Sequence, residues 1–247
     1  MKRLLLSLVL TVSTMFSTVW AFNFSAVVPS GQTLYFNINS DTASVSVTYP
    51  GSYFYSPYDG YTRPTGDLVI PSSVTYNGTT YQITIIDRYA FYYCHLLTSV
   101  TIPNSITSIG SYAFSECDNL ATLNFNAINC SDFNNCSNLV SCNPFGQCPI
   151  STINIGDSVK RIPAYFAYQL SSLSSITIPN SVTYIGESAF YNCHNLTTLN
   201  FNAINCGNFS RYHSFYYPFY NCNLSTINIG DSVQRIPAYF AYNNYTY

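Results

Sequence analysis

The stretch Leu97-Thr-Ser-Val-Thr-Ile-Pro-Asn-Ser-Ile-Thr-Ser-Ile-Gly-Ser-Tyr-Ala-Phe-Ser-Glu-Cys-Asp-Asn-Leu120 decides the fold. Val100 and Ile102 alternate with Thr101, so they share one side of a short strand. Pro103 ends that strand because it offers no N–H to a ladder. Ile106, Ile109, Ala113, Phe114 and Cys117 then carry the chain back along a second wall, with Gly110 at the bend. A unit of 23 residues cannot bury these side chains by itself, so it needs a neighbour.

Neighbours are present. The stretch opening at Leu173 repeats the pattern and closes on Leu196 after another 23 residues. Units of the same length run from Ile150 to Leu173 and from Leu224 to Tyr247, and longer ones of 30 and 28 residues start at Leu120 and Leu196. The first unit, residues 65–97, is nine residues over length. That excess, residues 76–84, holds Asn77-Gly78, the favoured two-residue hairpin turn. Seven units result. A larger period sits on top: residues 97–172 and 173–246 are two copies of a three-unit block, and 152–168 matches 226–242 at 16 of 17 positions. Such identity points to duplication of a working module. Stacked units form a continuous core, each large side chain contributing roughly 1.5–3 kcal/mol when buried. The expectation is a repeat solenoid.

The pattern Val-x-Ile-Pro-x-Ser-[Ile/Val]-x-x-Ile-Gly-x-x-Ala-Phe-x-x-Cys-x-x-Leu resembles the BspA-type leucine-rich repeat, and residues 65–247 carry it. The units at 120–150 and 196–224 depart from it, as does Ile162-Pro163 in place of Ile-Gly. Ser105 and Ser181 stand where the general leucine-rich pattern has Asn or Cys. The resemblance implies a β-rich horseshoe with short helical turns. It also implies an exported surface protein of anaerobic bacteria, used for adhesion to extracellular matrix proteins and to other cells.

Upstream, residues 1–21 read as a cleaved export signal. Lys2 and Arg3 form its positive start, residues 4–12 its apolar core, and Val19-Trp20-Ala21 its cleavage site. The apolar core is shorter than the roughly 20 residues that span a bilayer, and no later stretch is long and apolar enough to do so. Residues 22–64 are not a repeat. Residues 34–38 and 44–49 alternate as two strands around Asn39-Ser40-Asp41, and the simplest task for this segment is to cap the open end of the stack. The linker at 50–64 is rich in turn formers and tyrosine.

Charged residues are only 7% of the chain, against 47% hydrophobic, and the formal net charge is −2. That excludes charge-rich disorder, and it is too little positive charge for a surface that tracks phosphates. No nucleic-acid partner is expected. No serine sits in a nucleophile elbow and no carboxylate pair recurs at catalytic spacing, so neither catalysis nor a cofactor is expected.

Nine cysteines in an exported chain invite a disulfide reading. However, Cys94, Cys117, Cys148, Cys193 and Cys222 share one slot, Phe-x-x-Cys, which Leu170 occupies elsewhere. Cys130 and Cys206 share a second slot, while Cys136 and Cys142 have no counterpart. Coincidence with an apolar slot favours buried free thiols, since Cys packs as a small hydrophobe. Neighbouring strands lie about 4.8 Å apart, so a few stacked pairs remain within reach of oxidation. The six-residue spacing of Cys130, Cys136, Cys142 and Cys148 lacks the paired knuckles of a zinc site, and no metal is expected.

Two surfaces are candidates for binding extracellular proteins, cell-surface molecules or glycans. The first is the outward face of the strands, with one column of Ser99, Thr122, Thr152, Ser175, Thr198 and Thr226. A second column carries Thr101, Asn124, Asn154, Thr177, Asn200 and Asn228. Polar residues are also what any solvent-facing strand carries. The second surface is aromatic: Tyr53, Phe54, Tyr55, Tyr58 and Tyr61, with Tyr212, Phe215, Tyr216 and Tyr217 in a later insertion. Tyrosine offers large contact area at low entropic cost, but these rings could equally cover the edges of the core. The readings left standing are an adhesive binding protein, a spacer without a ligand, and a saccharide-binding module.

Overall fold

A computed structural model of the chain describes residues 22–133, 143–209 and 217–240. It is built from strands and turns. The first three strands, β1 (Phe24–Val27), β2 (Thr33–Ile38) and β3 (Ser44–Thr48), form an antiparallel meander. Next come β4 (Gly66–Val69), β5 (Ser73–Tyr76), β6 (Thr79–Ile86), β7 (Leu97–Ile102) and β8 (Ser108–Ile109). The remainder are β9 (Thr122–Phe125), β10 (Thr152–Ile155), β11 (Arg161–Ile162), β12 (Ser175–Ile178), β13 (Tyr184–Ile185), β14 (Thr198–Phe201) and β15 (Thr226–Ile229).

The hairpin expected at Asn77-Gly78 is formed. β5 and β6 pair antiparallel with Tyr76 opposite Thr79, and both turn residues have positive φ (48° and 78°), as a two-residue primed turn requires. The two expected upstream strands are β2 and β3, to which β1 is added. β3 pairs in parallel with β6, so the upstream segment and the first repeat share one sheet. Asp87 ties them further: its N–H donates to Val47 O (2.8 Å) and its carboxylate accepts from Ser46 Oγ (2.8 Å).

The repeats stack in register through parallel ladders. β4, β7, β9 and β10 form one sheet, and β12, β14 and β15 another. Val100 lies opposite Leu123, and Leu123 opposite Ile153, so alternation within each strand becomes a buried column across strands. Val100, Ile102, Ile106, Ile109, Ala113, Phe114 and Cys117 are all buried, as the alternation requires. Phe91, Phe114 and Phe145 stack ring on ring at 4.8 and 5.3 Å. The Ile162-Pro163 variant interrupts this column: Ala167 takes the phenylalanine slot, and Phe166 packs edge-on against Phe125 and Phe190.

The short helical turns implied by the resemblance are not found; among the described residues there is no helix. The reason is how the return wall spends its N–H groups. Ala113, Ser115 and Cys117 donate within their own repeat, to Gly110, Tyr112 and Phe114. Between them, Phe114 and Glu116 donate to the next repeat, at Pro144 O (2.7 Å) and Gly146 O (3.2 Å). A helix would spend every N–H within its own segment, on the carbonyl four residues earlier. Tyr112 and Glu116 also sit in the left-handed region (φ 60° each), and Tyr89/Tyr93 and Tyr165/Gln169 do the same, which breaks the helical path every fourth residue.

Ser105 and Ser181, the departures from the general pattern, act as bridges between repeats. Their hydroxyls donate to Ile83 O (2.7 Å) and Val159 O (2.6 Å). Asn119 and Asn195 likewise donate to His95 O and Ser171 O. Ser105 reaches a carbonyl of β6 and the other three reach carbonyls outside the strands, so polar side chains add bonds between repeats beyond the parallel ladders.

Candidate binding surfaces

Register places both polar columns as the alternation predicts. Ser99 lies opposite Thr122 and Thr122 opposite Thr152; Thr101 lies opposite Asn124 and Asn124 opposite Asn154. In the second sheet Ser175, Thr198 and Thr226 align, as do Thr177, Asn200 and Asn228. Hydrogen bonds run along the second column. Asn124 donates through Nδ2 to Thr101 Oγ1 (3.1 Å), and Asn154 donates to Asn124 Oδ1 (2.8 Å). The same ladder recurs at the same lengths, from Asn200 to Thr177 and from Asn228 to Asn200. The repeat period therefore fixes each amide's rotamer by its neighbour. Sequence reading missed Asp67, which heads the first column on β4 and accepts from Thr98 Oγ1 and Ser99 Oγ (2.9 and 2.6 Å). Those bonds hold its carboxyl below the usual range, Ser99 first. The offset was legible, since Asp67-Leu68-Val69 aligns with Ser99-Val100-Thr101.

The ladders do not meet. Strands β10 and β12 are neighbours in the stack, yet they belong to separate sheets, and no hydrogen bond joins Asn154 to Thr177 among the described residues. Their partners elsewhere use an N–H just past the strand, as Asn126 does to Ile102 O and Asn202 to Ile178 O. Pro179 has none to give. Pro103 stands at the same place beyond β7, which still pairs with β4, so the proline alone does not part the sheets. Where they part, an open polar groove of about 320 Å³ lies between the two blocks, lined by Asn154, Asp157, Thr177 and Asn180 among others.

The aromatic candidates divide. Tyr53 and Tyr55 are exposed (65% and 64%), and Phe54 stacks on Tyr89, which stacks on Tyr112. Tyr58 must be withdrawn from the exposed surface: its ring is 2% exposed and its hydroxyl donates to Ala90 O (2.8 Å). It fills the seam between the upstream segment and the first repeats. Tyr61 packs edge-on against Tyr35 (5.5 Å) and Phe22 (6.2 Å) and likewise covers a core edge. Of the later group, Tyr217 is buried, and Tyr212, Phe215 and Tyr216 lie outside the described residues.

The cysteine slot asks for more than a compact apolar group. Cys117 donates its thiol to Phe91 O (3.2 Å), Cys148 to Phe114 O (3.0 Å), Cys193 to Ala167 O (3.0 Å) and Cys222 to Phe190 O (3.1 Å). Each such carbonyl belongs to the preceding repeat, so the thiol is a weak inter-repeat bond that Leu170 forgoes. Burial pushes the thiols of Cys94 and Cys130 up to about 12 and that of Cys206 to about 11. The seven described cysteines are free and buried; Cys136 and Cys142 lie outside the described residues. Native protein at pH 8 should therefore react slowly with iodoacetamide, because burial denies access and, at Cys94, Cys130 and Cys206, also disfavours the thiolate. Denaturation without reductant should expose all seven to the reagent, read by mass. Disulfides among the seven would refute this.

Sequence comparison identifies the unit. The family described as the BspA type leucine rich repeat region matches in six copies, over residues 72–144 and 210–247. Those stretches are BspA-type leucine-rich repeats. The strand-rich stack and its register are the leucine-rich-repeat fold, with turns on the return wall. Solved structures similar to the chain include a leucine rich cell surface protein of Faecalibacterium prausnitzii A2-165, at 25% identity and a TM-score of 0.43. That match covers 85% of this chain, which spans 44% of the other's length. A leucine rich repeat protein of T. pallidum is 19% identical with a TM-score of 0.41, covering 84% of this chain and 89% of its own. The pneumococcal vaccine antigen PcpA is 16% identical with a TM-score of 0.40, covering 86% and 47%. No curated protein matches the chain. No helix of the described residues is long and apolar enough to cross a membrane.

Proposed function

We propose that this chain is an exported, non-catalytic adhesion protein whose BspA-type repeats bind extracellular matrix proteins or other cell-surface molecules. In this reading residues 1–21 are removed on export, residues 22–64 cap the stack, and residues 65–247 form a seven-unit horseshoe that presents the binding face. The leader-like start supports export. The observation that carries the binding reading is the duplicated Thr–Asn–Asn ladder on the outward strand face. Hydrogen bonding within the ladder pre-organises the amides, which lowers the entropic cost of engaging a partner. The rows at Thr101 and Thr177 contain no charged side chain. Affinity then comes from many neutral hydrogen bonds, each worth roughly 0.5–1.5 kcal/mol net, and long-range attraction has little to act through.

The test is adhesion of the immobilised mature protein to matrix proteins and to cells. Between about 50 and 500 mM salt, where the screening length shortens severalfold, binding should change little. Asn154→Ala should weaken it modestly. Replacing Thr101, Asn124, Asn154 and Thr177 together by lysine should abolish it, with the buried stack and its melting behaviour retained. Steep salt dependence would overturn the neutral-surface mechanism, and binding to no partner by folded protein would favour a spacer role.

A further inference from the structure

On the return wall, the residue after the phenylalanine slot forms its own column: Tyr92, Ser115, Gly146, Tyr168, Tyr191 and Tyr220. Backbone bonds carry this column from repeat to repeat. Tyr93 N–H donates to Ser115 O, Glu116 N–H to Gly146 O, Gln169 N–H to Tyr191 O and Asn192 N–H to Tyr220 O. One step is missing: no bond joins Gln147 N–H to Tyr168 O among the described residues. Asn143 takes over there, its Oδ1 accepting from Phe145 N–H and its Nδ2 donating to Tyr165 O. The side chain replaces a backbone rung, and a cleft of about 450 Å³ opens between the two repeats.

Beyond the cleft the rings run as a stack. Tyr168 lies on Tyr191 at 5.0 Å and Tyr191 on Tyr220 at 5.5 Å, all within 7° of parallel. Tyr168 thus ends the stack and also lines the cleft, facing repeats whose corresponding residues are the small Gly146 and Ser115. The cleft's polar lining is neutral: Gln147, Gln169, Ser171 and Ser172. Gln147 also lines a second, adjoining cleft of about 220 Å³, where Tyr92, Tyr112 and Glu116 stand. Aromatic rings bracket a gap of two small residues that is floored by amides and hydroxyls, with the Glu116 carboxylate as a further acceptor.

We propose that these adjoining clefts form a binding site for a neutral oligosaccharide of two to three rings. The C–H face of a pyranose continues the tyrosine stack on Tyr168. Its hydroxyls bond the amides of Gln147 and Gln169, the serine hydroxyls, and the Gln147 N–H and Tyr168 carbonyl, which have no backbone partner among the described residues. A pyranose suits this lining better than a peptide aromatic side chain, which would leave those polar groups unsatisfied. The site lies on the return wall, apart from the Thr–Asn rows.

The experiment is titration of the mature protein with neutral probes (cellotriose, maltotriose and N,N′-diacetylchitobiose), read by saturation-transfer NMR and calorimetry. At least one should bind. Tyr168→Ala and Gln147→Ala should each weaken it about tenfold, the loss of one aromatic or bidentate contact. Gly146→Tyr, which supplies the missing ring, should abolish binding with the melting temperature retained. The lysine variant of the strand face should bind the sugar as the parent does, so failure of either site is read independently of the other. Binding to none of the probes would overturn the proposal, as would binding unchanged by Gln147→Ala and Gly146→Tyr, or preferential binding of a tyrosine-rich peptide.

Discussion

Gly186→Ala is expected to lower the melting temperature by about 6–12 °C, the equivalent of about 3 kcal/mol in a chain of this size. A Cβ built on Gly186 would stand 2.2 Å from Ala164 N, 2.5 Å from Ala164 Cα and 2.7 Å from the carbonyl carbon of Pro163. All three are backbone atoms of the preceding repeat, which no rotamer change can move aside. To admit the methyl, the repeats must part, at the expense of the bonds from Gly186 N–H to Ile162 O and from Tyr165 N–H to Glu187 O. Gly110 meets Arg88 N at 2.4 Å in the same way, so Gly110→Ala should behave alike. The control is Gly207→Ala, whose Cβ would meet only Thr183 O at 3.6 Å and should be neutral or slightly stabilising. Melting of Gly186→Ala within 2 °C of the parent, a shift of about 1 kcal/mol or less, would refute the close-approach argument.

Alkaline unfolding well below pH 12 is the second large effect. The thiols of Cys94 and Cys130 are held at about 12 and that of Cys206 at about 11 in the fold, against an ordinary value near 9. Tyr58 is raised as well, chiefly by burial. Above the ordinary value the unfolded chain releases these protons and the folded chain keeps them. The folded state then binds more protons, so stability falls as pH rises. The contribution is whole below about pH 9 and is lost progressively towards pH 12. Three thiols at about 1.4 kcal/mol per pH unit each sum to about 4 kcal/mol per unit, enough to exhaust an ordinary stability of about 5–15 kcal/mol within a few units. Past residue 21 the only lysine is Lys160, so little else titrates in that window except tyrosine. The check is the guanidinium unfolding midpoint between pH 8 and 11, with Cys94→Ala expected to flatten the fall. A midpoint constant across that range would refute the assignment.

How far the molecule could be read beforehand follows from which features are periodic. Val100, Ile102, Phe114 and Cys117 announced their burial because a period-two strand and a recurring slot permit one arrangement only when every unit must stack. The same logic aligned Thr101 with Asn124 and Asn154, and Thr177 with Asn200 and Asn228, since parallel register carries equal positions to equal columns. Asn77-Gly78 specified its hairpin through φ alone.

Contacts between non-equivalent positions required the tertiary structure. Gly110 was legible as a bend, but it does not lie in the positive-φ region; it is glycine because Arg88 passes against it. The slot cysteines were legible as buried, but their bonds to carbonyls of the preceding repeat depend on a lateral offset that no single unit encodes. Tyr58 and Tyr55 are three residues apart in one tyrosine-rich loop, and only packing sends one into the core and the other to solvent. The interruptions arise in the same way. Asn143 replaces one backbone rung between particular neighbours beside the cleft at Tyr168, and the groove beside Asn154 lies where β10 and β12 fall into separate sheets. Periodicity is a property of one repeat and is written in its residues; a break belongs to the interface between two unlike repeats and exists only once they are stacked.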